Sequence, residues 1–327
     1  MTKARTAVAY PMKMSPCFKD YLWGGGLLQK TFGKQSGYAL TAESWELSAH
    51  EAGQSVIQNG EAAGQPFGAW IQAHPSAVGK GFCGDKFPVL IKFLDVNTAL
   101  SVQVHPSDET ADAALGEQGK AEVWYVVDAK PGAHIYFGLE REVTQAAFLS
   151  QIEAGTVCEL LHREEAKPGQ LWFITPGTLH SAAGGVLIAE VQQSSDTTLR
   201  AYDFGRRDAE GNTRPLHLAR VCAVMHTKPT ENDAQRQNES LETEDYAFSA
   251  LFDCGYFRLS RACVYRRMEL CCTAESFQAL LVICGGGSLL YAGETYALKA
   301  GDCFFLPAGL GVYALSGRME CLLTRLS

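Results

Sequence analysis

The sequence predicts a mainly β protein, built as two tandem jelly-roll barrels with a few inserted helices. Short apolar runs of strand length, bounded by glycine and proline, recur through much of the 327 residues. Helical patterns are fewer. A segment made of a glycine, an apolar strand and a proline-containing turn occurs twice. These observations together indicate two related β units.

The clearest apolar runs are predicted to be strands. In the first part of the chain they cover residues 87–96, 99–105, 122–129, 170–174 and 186–192. Near the C-terminus they cover residues 279–284, 289–292, 303–306 and 321–324. Helices are predicted over 108–115, 144–154 and 216–225, where apolar residues recur with helical spacing.

The repeated segment supports the prediction of two barrels. Residues 169–177 read GQLWFITPG and residues 301–309 read GDCFFLPAG, at an offset of 132 residues. A strand entered from a glycine and left through a proline turn is typical of jelly rolls. By the same offset His180 corresponds to Val312. If His180 is a metal ligand, only the first barrel holds metal.

A polar segment divides the chain. Residues 227–245 read TKPTENDAQRQNESLETED, in which only Ala234 and Leu241 could be buried. This composition predicts a linker or a long exposed loop. We therefore expect a first domain over 1–226, with helical insertions, and a second domain over 246–327.

Composition and charge exclude several classes of protein. Hydrophobic residues make up 46% of the chain and charged residues 20%, which excludes a disordered or fibrous protein. The net charge of −8 predicts no nucleic-acid partner and no anionic membrane surface. No stretch has the roughly 18 apolar residues that a membrane helix needs. Any anionic ligand must therefore meet a local basic pocket.

Cysteine usage favours a reducing compartment. The chain has 11 cysteines, but none are spaced as Cys-x-x-Cys, and Cys271 and Cys272 are adjacent. The first twenty residues lack the continuous apolar region of a secretory signal. The expected location is therefore the cytoplasm.

Four residues form a candidate metal site. The alternation in residues 101–105, SVQVH, sends Ser101, Gln103 and His105 to one face of a strand. Glu122 begins a second strand and His180 follows a turn. Each of these residues alone could be an ordinary surface group. Together, two histidines, a glutamate and the amide oxygen of Gln103 form a donor set suited to Zn²⁺, Fe²⁺ or Mn²⁺.

Three further polar residues stand near these positions. Lys120 lies two residues before Glu122 and would share its strand face, and Glu190 interrupts the apolar run 186–192. Such a carboxylate is either buried with a partner or on the outer face. Arg200 offers a fixed fork of donors for a phosphate or an enediolate.

Several motifs in order resemble the type I mannose-6-phosphate isomerases, in their short bacterial form. The match is specific over most of residues 18–225, whereas the last third resembles the family only as a degenerate cupin barrel. The motifs that carry it are FPVLIKFLD (87–95), LSVQVHP (100–106), GKAEVWY (119–125), PGTLH (176–180) and QQSSDTTLRAYD (192–203). Upstream, YLWGG (21–25) and ESWELS (43–48) resemble the N-terminal signatures of the family.

The resemblance implies a role for each matching residue. It makes 1–226 the catalytic cupin domain, with one Zn²⁺ per chain. The implied zinc ligands are Gln103, His105, Glu122 and His180. The implied catalytic residues are Lys120, Glu190 and Arg200, and the implied substrate-binding residues are Ser101, Lys120, Asp196 and Arg200.

The implied activity is a zinc-dependent interconversion of mannose 6-phosphate and fructose 6-phosphate through an enediol. Glu190 and Lys120 are both candidates for the base, with Asp196 as a third, and the residues do not choose between them. Arg200 would stabilise the enediolate or hold the phosphate. The oligomeric state is not predicted.

The residues also leave two other functions open. A cupin oxygenase could hold Fe²⁺ with His105, Glu122 and His180. That function leaves Lys120, Arg200 and the SSDTTLR stretch unexplained. A non-catalytic sugar-binding protein with two cupin barrels would bind its ligand without turnover.

Overall fold

The computed structural model describes residues 9–80, 82, 84–112, 118–208, 210–232 and 239–327. These residues form two compact units. The central unit comprises Phe18–Trp45 and the described residues from 89 to 232. The flanking unit comprises the described residues up to 17, those in 46–88, and 239–327.

The secondary structure confirms the mainly β prediction. The described strands before residue 210 are β1 (Met12–Ser15), β2 (Cys17–Lys19), β3 (Glu43–Leu47), β4 (Val56–Ile57), β5 (Val89–Val96), β6 (Val102–Val104), β7 (Glu122–Ala129), β8 (His134–Leu139), β9 (Leu161–Glu165), β10 (Leu171–Ile174), β11 (His180–Ala183), β12 (Val186–Gln193) and β13 (Leu199–Tyr202). Those that follow are β14 (Glu239–Glu242), β15 (Tyr246–Asp253), β16 (Phe257–Val264), β17 (Arg267–Cys272), β18 (Gln278–Tyr291), β19 (Glu294–Lys299), β20 (Cys303–Leu306) and β21 (Gly311–Leu326).

The described α-helices are short. They are α1 (Leu27–Phe32), α2 (Phe67–Ala73), α3 (Gln145–Ala154) and α4 (Leu218–Val224). Helix α3 begins where Thr144 caps it, accepting a hydrogen bond from the Ala147 amide, and it ends at the left-handed Gly155. None of the described helices has the length and hydropathy needed to cross a bilayer.

Two sheets form the central unit. The six-stranded sheet has the order β10-β7-β12-β5-β3-β2, and the five-stranded sheet has the order β13-β6-β11-β8-β9. Because strand residues alternate between faces, Val102 and Val104 point into an apolar core with Phe148 of α3 and Val221 of α4. The intervening residue, Gln103, therefore points to the opposite face, as the sequence predicts.

The flanking unit is built on one ten-stranded sheet. Its main path is β14-β15-β16-β21-β18-β20-β1-β4, with β17 paired to β21 and β19 to β18. The predicted runs 279–284 and 289–292 form a single strand, β18, and the run 321–324 is part of the longer β21. Strands this long were not evident because Gly285, Gly286 and Gly287 interrupt the apolar pattern of β18.

The two repeated segments have the same local structure. Strands β10 and β20 start and end at positions 132 residues apart. Gly169 and Gly301, which precede them, have φ of 87° and 86°. Gly177 and Gly309, which follow them, have φ of 88° and 80°. A side chain is unfavourable in this left-handed region, which explains why glycine occupies the same places in both copies.

The compact units divide the chain differently from the predicted 1–226 domain. Strand β1 pairs with β20, and Phe67 and Phe87 pack against Phe305. These contacts place early residues in the same unit as the C-terminal strands. The early residues form short, isolated elements without a periodic pattern, so the sequence carries no local sign of this pairing.

Two other expectations differ from the structure. Residues 108–110 of the predicted helix 108–115 form a turn, in which Asp108 Oδ1 accepts a hydrogen bond from the Gly119 amide, and residues 113–117 lie outside the described chain. The predicted linker 227–245 contains β14. The first residues of this segment are held against the edge strand β10, because Asn232 donates to the Leu171 carbonyl and accepts from the Phe173 amide.

The turn before His180 gives a test of the packing. A Cβ at Gly177 would lie 2.6 Å from His226 Nε2 and 2.9 Å from the Val224 carbonyl oxygen, whereas a Cβ at Gly132 would meet open space. Both glycines have positive φ. Gly132→Ala should cost about 1 kcal/mol in the free energy of unfolding, and Gly177→Ala clearly more, because a clash adds to the strain. Urea titrations followed by tryptophan fluorescence would measure both, and equal losses would contradict the predicted clash.

Candidate metal centre and active site

Three strands of the central unit bring four predicted ligands together. Gln103 lies in β6, His105 follows that strand, Glu122 begins β7 and His180 begins β11. His180 stands directly opposite Gln103 in the antiparallel pair, and their side-chain nitrogens, Nε2 and Nε2, are 3.2 Å apart. The ligand atoms of His105, Glu122 and His180 lie within 4.8 Å of one another.

Backbone carbonyls orient both histidines. His105 Nδ1 lies 2.9 Å from the Thr197 carbonyl oxygen, and His180 Nδ1 lies 2.9 Å from that of Thr178. Because a carbonyl only accepts, Nδ1 must carry the proton in each ring. The Nε2 atoms of His105 and His180 then face Glu122, 3.4 Å from its Oε2 and 3.2 Å from its Oε1 respectively. This orientation is typical of histidines that bind metals.

Apart from the ion pair of Glu122 with Lys120, the polar atoms at the centre of this group lack hydrogen-bond partners. His105, Glu122 and His180 are fully buried, and neither His105 Nε2 nor the two carboxylate oxygens take part in a hydrogen bond among the described residues. Burial, reinforced by the nearby Lys120 ammonium, lowers the pKa of His105 to about 3, so its ring is neutral and able to act as a ligand. Neutral nitrogen lone pairs that face a carboxylate are stabilised by a cation between them. The residues therefore fit a metal ion.

Buried charges of alternating sign extend from this centre. Lys120 Nζ lies 3.0 Å from Glu122 Oε2 and 4.0 Å from Glu190 Oε1. Lys92 Nζ lies 3.1 Å from the same Glu190 oxygen and 3.4 Å from Glu43 Oε2. We call Glu43, Lys92, Glu190, Lys120 and Glu122 the charge ladder. Each carboxylate in it has a lysine partner.

The sheet register builds the middle of the charge ladder. Glu190 in β12 stands opposite Lys92 in β5 on one side and opposite Trp124 in β7 on the other. Directly opposite residues share a face, so all three side chains point the same way. The Trp124 indole Nε1 donates a 2.7 Å hydrogen bond to Glu190 Oε2. Lys92 and Trp124 thus fix the carboxylate of Glu190.

The charge ladder lowers the pKa of one of its carboxyl groups and raises that of another. Burial acts to raise the pKa of Glu122, but the charge of Lys120, helped by the two adjacent imidazole rings, outweighs it and holds that pKa well below its usual range. Burial raises the pKa of Glu190, and the Glu122 carboxylate adds to the rise. Burial alone would lower the pKa of Lys92, yet Glu190 and Glu43 raise it. Lys92 is therefore charged and Glu122 ionised.

The other predicted site residues lie at differing distances from this centre. Ser101 is buried, with its hydroxyl 3.4 Å from Gln103 Oε1. Arg200 in β13 stands opposite Gln103 in the antiparallel pair with β6. Asp196 is exposed, and its charge acts on Lys92 and on the phenol of Tyr21. The structure thus brings Ser101 and Arg200 beside a predicted ligand, whereas Asp196 is exposed and contacts none of the predicted ligands among the described residues.

Comparison with known proteins identifies the family. The family model of the type I phosphomannose isomerase catalytic domain matches residues 12–136, and that of the mannose-6-phosphate isomerase cupin domain matches residues 249–326. The chain is 37% identical to mannose-6-phosphate isomerase ManA of Bacillus subtilis, over 97% of this chain and 99% of that one. The chain belongs to the type I mannose-6-phosphate isomerase family. The resemblance seen in the sequence motifs is confirmed.

Solved structures agree with this assignment. A mannose 6-phosphate isomerase from Bacillus subtilis superposes with a TM-score of 0.88 at 32% identity, covering 96% of this chain and 99% of that chain. A zinc-bound mannose 6-phosphate isomerase superposes with a TM-score of 0.76 at 16% identity, covering 98% and 100%. The second likeness shows a shared fold, and the predicted cupin architecture is confirmed.

The flanking unit of this family member has a changed version of the same site. The offset of 132 residues relates Ile174 to Leu306 and His180 to Val312. The strand partner of Ile174 is Glu122, and that of Leu306 is Gln278. The strand partner of His180 is Gln103, and that of Val312 is Cys271. These three positions thus hold glutamine, cysteine and valine. The Gln278 amide is already satisfied, since it accepts from the Tyr313 hydroxyl at 2.7 Å and donates to the Cys271 carbonyl at 3.1 Å.

Lys92 and Glu43 are site residues that the sequence reasoning missed. The sequence does contain a sign of their burial, because Lys92 interrupts the apolar strand VLIKFLDV (89–96) and Glu43 opens the buried strand β3. A lysine inside such a run is almost never fully buried without a partner. The same argument had been applied to Glu190, which the structure shows to be its partner.

Removal of Lys92 should strongly destabilise the central unit. Lys92→Met would leave the buried Glu190 and Glu43 carboxylates without their cation, which should cost about 3–5 kcal/mol in the free energy of unfolding. Four of the five tryptophans, at 23, 45, 124 and 172, lie in this unit, so urea denaturation followed by fluorescence reports on it. Lys130→Met, at an exposed lysine, is the matched control. A loss as small as that of the control would contradict the pairing.

Proposed function

We propose that this chain is a metal-dependent mannose-6-phosphate isomerase, which interconverts mannose 6-phosphate and fructose 6-phosphate. The observation that carries this proposal is the fully buried group of His105, Glu122 and His180 with Lys120 3.0 Å from Glu122, in a chain 37% identical to ManA. The reaction moves a proton between neighbouring carbons through an enediol. It needs a proton carrier and a source of positive charge, and this site offers both.

The proposed metal is Zn²⁺, with one ion per chain. His105 Nε2, His180 Nε2 and Glu122 supply strong nitrogen and oxygen donors, and among the described residues the ligand group contains no thiol. Gln103 is the proposed fourth ligand. Its amide nitrogen faces His180 and its oxygen faces Ser101, so a half-turn of the terminal amide presents the oxygen to the site. When bound, the ion would stabilise the negative charge that develops on a sugar oxygen.

The proton transfer is assigned to Lys120 and Glu190. Both are almost completely buried, and Lys120 Nζ lies between the carboxylates of Glu122 and Glu190. The raised pKa of Glu190 brings that group nearer to neutrality, where a general acid or base is most effective. Lys120 contacts the proposed metal ligand Glu122, so its Nζ is placed where a proton would be exchanged with the sugar.

Arg200, Ser101 and Asp196 are the proposed substrate contacts. Arg200 and Ser101 adjoin Gln103, which supports their placement next to the carbons at which charge would develop. The guanidinium of Arg200 would bind the oxygens of the enediolate. Exposed Asp196 would contact the sugar hydroxyl groups at the outer end of the site.

We also propose that the protein acts in the cytoplasm on a phosphosugar, without nucleic acid or membrane partners. All ten cysteines of the described residues are free thiols, as a reducing compartment would keep them. The net charge of −8 gives no general attraction for nucleic acid or an anionic membrane.

A coupled assay on mannose 6-phosphate, with metal analysis of the same preparation, tests the function. The expected result is turnover that a chelator abolishes and zinc restores. Binding of mannose 6-phosphate to the zinc-loaded protein without turnover would instead indicate a non-catalytic sugar-binding protein. Consumption of dioxygen by an iron-loaded preparation would indicate an oxygenase.

The metal ligands give a graded prediction. His105→Ala and His180→Ala should each lose bound zinc and nearly all turnover, because a four-donor site without one strong ligand no longer holds the ion. Gln103→Ala should be milder, since an amide oxygen is the weakest donor. Zinc per chain and kcat would be measured together. Gln278→Ala, at the position that corresponds to Glu122 in the flanking unit, is the control and should keep both. A histidine variant with full zinc occupancy would not be a ligand.

Arg200→Lys separates two roles of Arg200. If the guanidinium meets charge that appears only in the enediolate, kcat falls with little change in KM, whereas a ground-state contact would raise KM and leave kcat unchanged. The position of Arg200 opposite Gln103 favours the first result, with a fall in kcat of roughly 10- to 100-fold. Steady-state kinetics of the zinc-loaded variant would decide. A near-normal kcat would remove Arg200 from the catalytic role.

A further inference from the structure

A second arginine lies beside Arg200, in a cluster organised by Asp203. Asp203 is 5% exposed, and Arg214 donates to both of its oxygens, from Nε to Oδ2 at 2.8 Å and from Nη2 to Oδ1 at 2.5 Å. Arg206 also donates to Oδ1. One carboxylate therefore holds two guanidinium groups in fixed positions, because such forked contacts leave little freedom of rotation.

The two guanidinium groups differ in the donors that they leave unused. Arg206 engages all three of its nitrogens, with the carbonyl of Asp203, the carboxylate of Asp203 and the carbonyl of Ala99. Arg214 donates to Asp203 from Nε and Nη2, and within the described residues its Nη1 has no acceptor. Arg206 is thus part of the framework, whereas Arg214 has donors available for a ligand.

Arg200 also has unused donors. Its Nη1 donates to the Pro215 carbonyl at 3.1 Å, but its Nε is buried and meets no acceptor in the described part of the chain. Burial lowers the pKa of Arg200, and the charge of Arg214 lowers it further. A buried donor without an acceptor is costly, and a bound anion would remove that cost.

The cluster carries excess positive charge. Two guanidinium groups, those of Arg206 and Arg214, contact the single carboxylate of Asp203, and a third, that of Arg200, lies within its electrostatic range. The local sum is two positive charges, in a chain whose net charge is −8. Arg206 and Arg214 keep one of these positive charges after that of Asp203 is subtracted, and this charge attracts a phosphate monoester. The cluster therefore supplies the local basic pocket that an acidic chain needs in order to bind a phosphosugar.

Tyr21 links this cluster to the charge ladder. Burial raises the pKa of its phenol, and the charges that act on that phenol include Glu43 and Lys92 of the ladder as well as Arg214. Its side chain is 36% exposed, and that of Arg214 is 27% exposed. A direct contact also joins Arg214 to the site, because the carbonyl of the next residue, Pro215, accepts a hydrogen bond from Arg200 Nη1, and Arg200 stands opposite Gln103.

We propose that Arg214 binds the phosphate group of the sugar phosphate, and that Asp203 is the positioning residue that aims it. This inference rests on the proposed function and extends it. It separates the two arginines: Arg200, opposite Gln103, faces the reacting carbons, and Arg214 holds the remote phosphate. Because the phosphate does not change during isomerisation, its contact stabilises ground and transition states alike.

Kinetics on mannose 6-phosphate test the role of Arg214. Arg214→Met should raise KM about 10- to 100-fold, the range for a lost charge-assisted contact, and leave kcat within about two-fold. Arg207→Met removes an exposed arginine of the same loop, whose Nη1 donates to the Gly211 carbonyl, and should match the wild type. Arg214→Lys keeps the charge and should give an intermediate KM. An unchanged KM in a folded Arg214 variant overturns the proposal.

Inorganic phosphate provides a readout independent of turnover. The inhibition constant of phosphate, and its dissociation constant by calorimetry, should rise in Arg214→Met as KM does, but not in Arg207→Met. If the wild-type protein does not isomerise mannose 6-phosphate, the proposed function fails while calorimetry still decides the anion site. If turnover is normal and phosphate binds Arg214→Met as it binds the wild type, the phosphate site fails alone.

Asp203→Asn tests the positioning role. It should raise KM and the phosphate inhibition constant together, by about 10-fold, because Arg214 loses its forked partner. The double variant Asp203→Asn with Arg214→Met should bind phosphate no worse than Arg214→Met alone. If Asp203 only stabilised the fold, its variant would lower the melting temperature and leave the phosphate inhibition constant unchanged, and this result would exclude positioning.

Discussion

The pairing of buried charges is the constraint on which the central unit depends. Transfer of a single ion into a barrel interior costs several kcal/mol, so each member of the charge ladder needs a partner of opposite sign within a few ångströms. Glu190 meets this requirement through the register of β12 with β5 and β7, which sets Lys92 on one side and Trp124 on the other. If β12 slipped by one residue, Ala189 or Val191 would replace Glu190 opposite Lys92 and Trp124. The same register that closes the sheet therefore assembles the site.

The flanking unit shows what the same framework becomes without this constraint. Its Gln278 occupies the position of Glu122, and Tyr313 with the Cys271 backbone satisfies the amide. A neutral amide needs no partner of opposite charge, so Gln278 requires no buried lysine beside it. Val312, at the position of His180, is 65% exposed. The turn glycines are common to both units, because the backbone of the turn requires them wherever the segment occurs.

The sequence predicts those features that depend on local pattern. The alternation in SVQVH placed Gln103 and His105 on a face away from Val102 and Val104, and the structure agrees. Lys92 was missed because a single charge in an apolar strand has no partner nearby in the sequence, while Glu190 lies 98 residues away in the chain. The grouping of β1 with β20 was missed for the same reason. Contacts between distant short elements depend on tertiary packing, which no local pattern records.

The discontinuity of the flanking unit has a consequence for folding during synthesis. The central unit, apart from Phe18–Trp45, is continuous along the chain, whereas β1 and the segment containing Phe67 and Phe87 precede their partner strand β20 by more than 200 residues. On the ribosome, these early apolar side chains emerge long before Phe277 and Phe305 exist to cover them. Contacts of such sequence separation are slow to form, and uncovered aromatic surface promotes aggregation. The nascent chain is therefore an expected client of chaperones until its C-terminal strands are released.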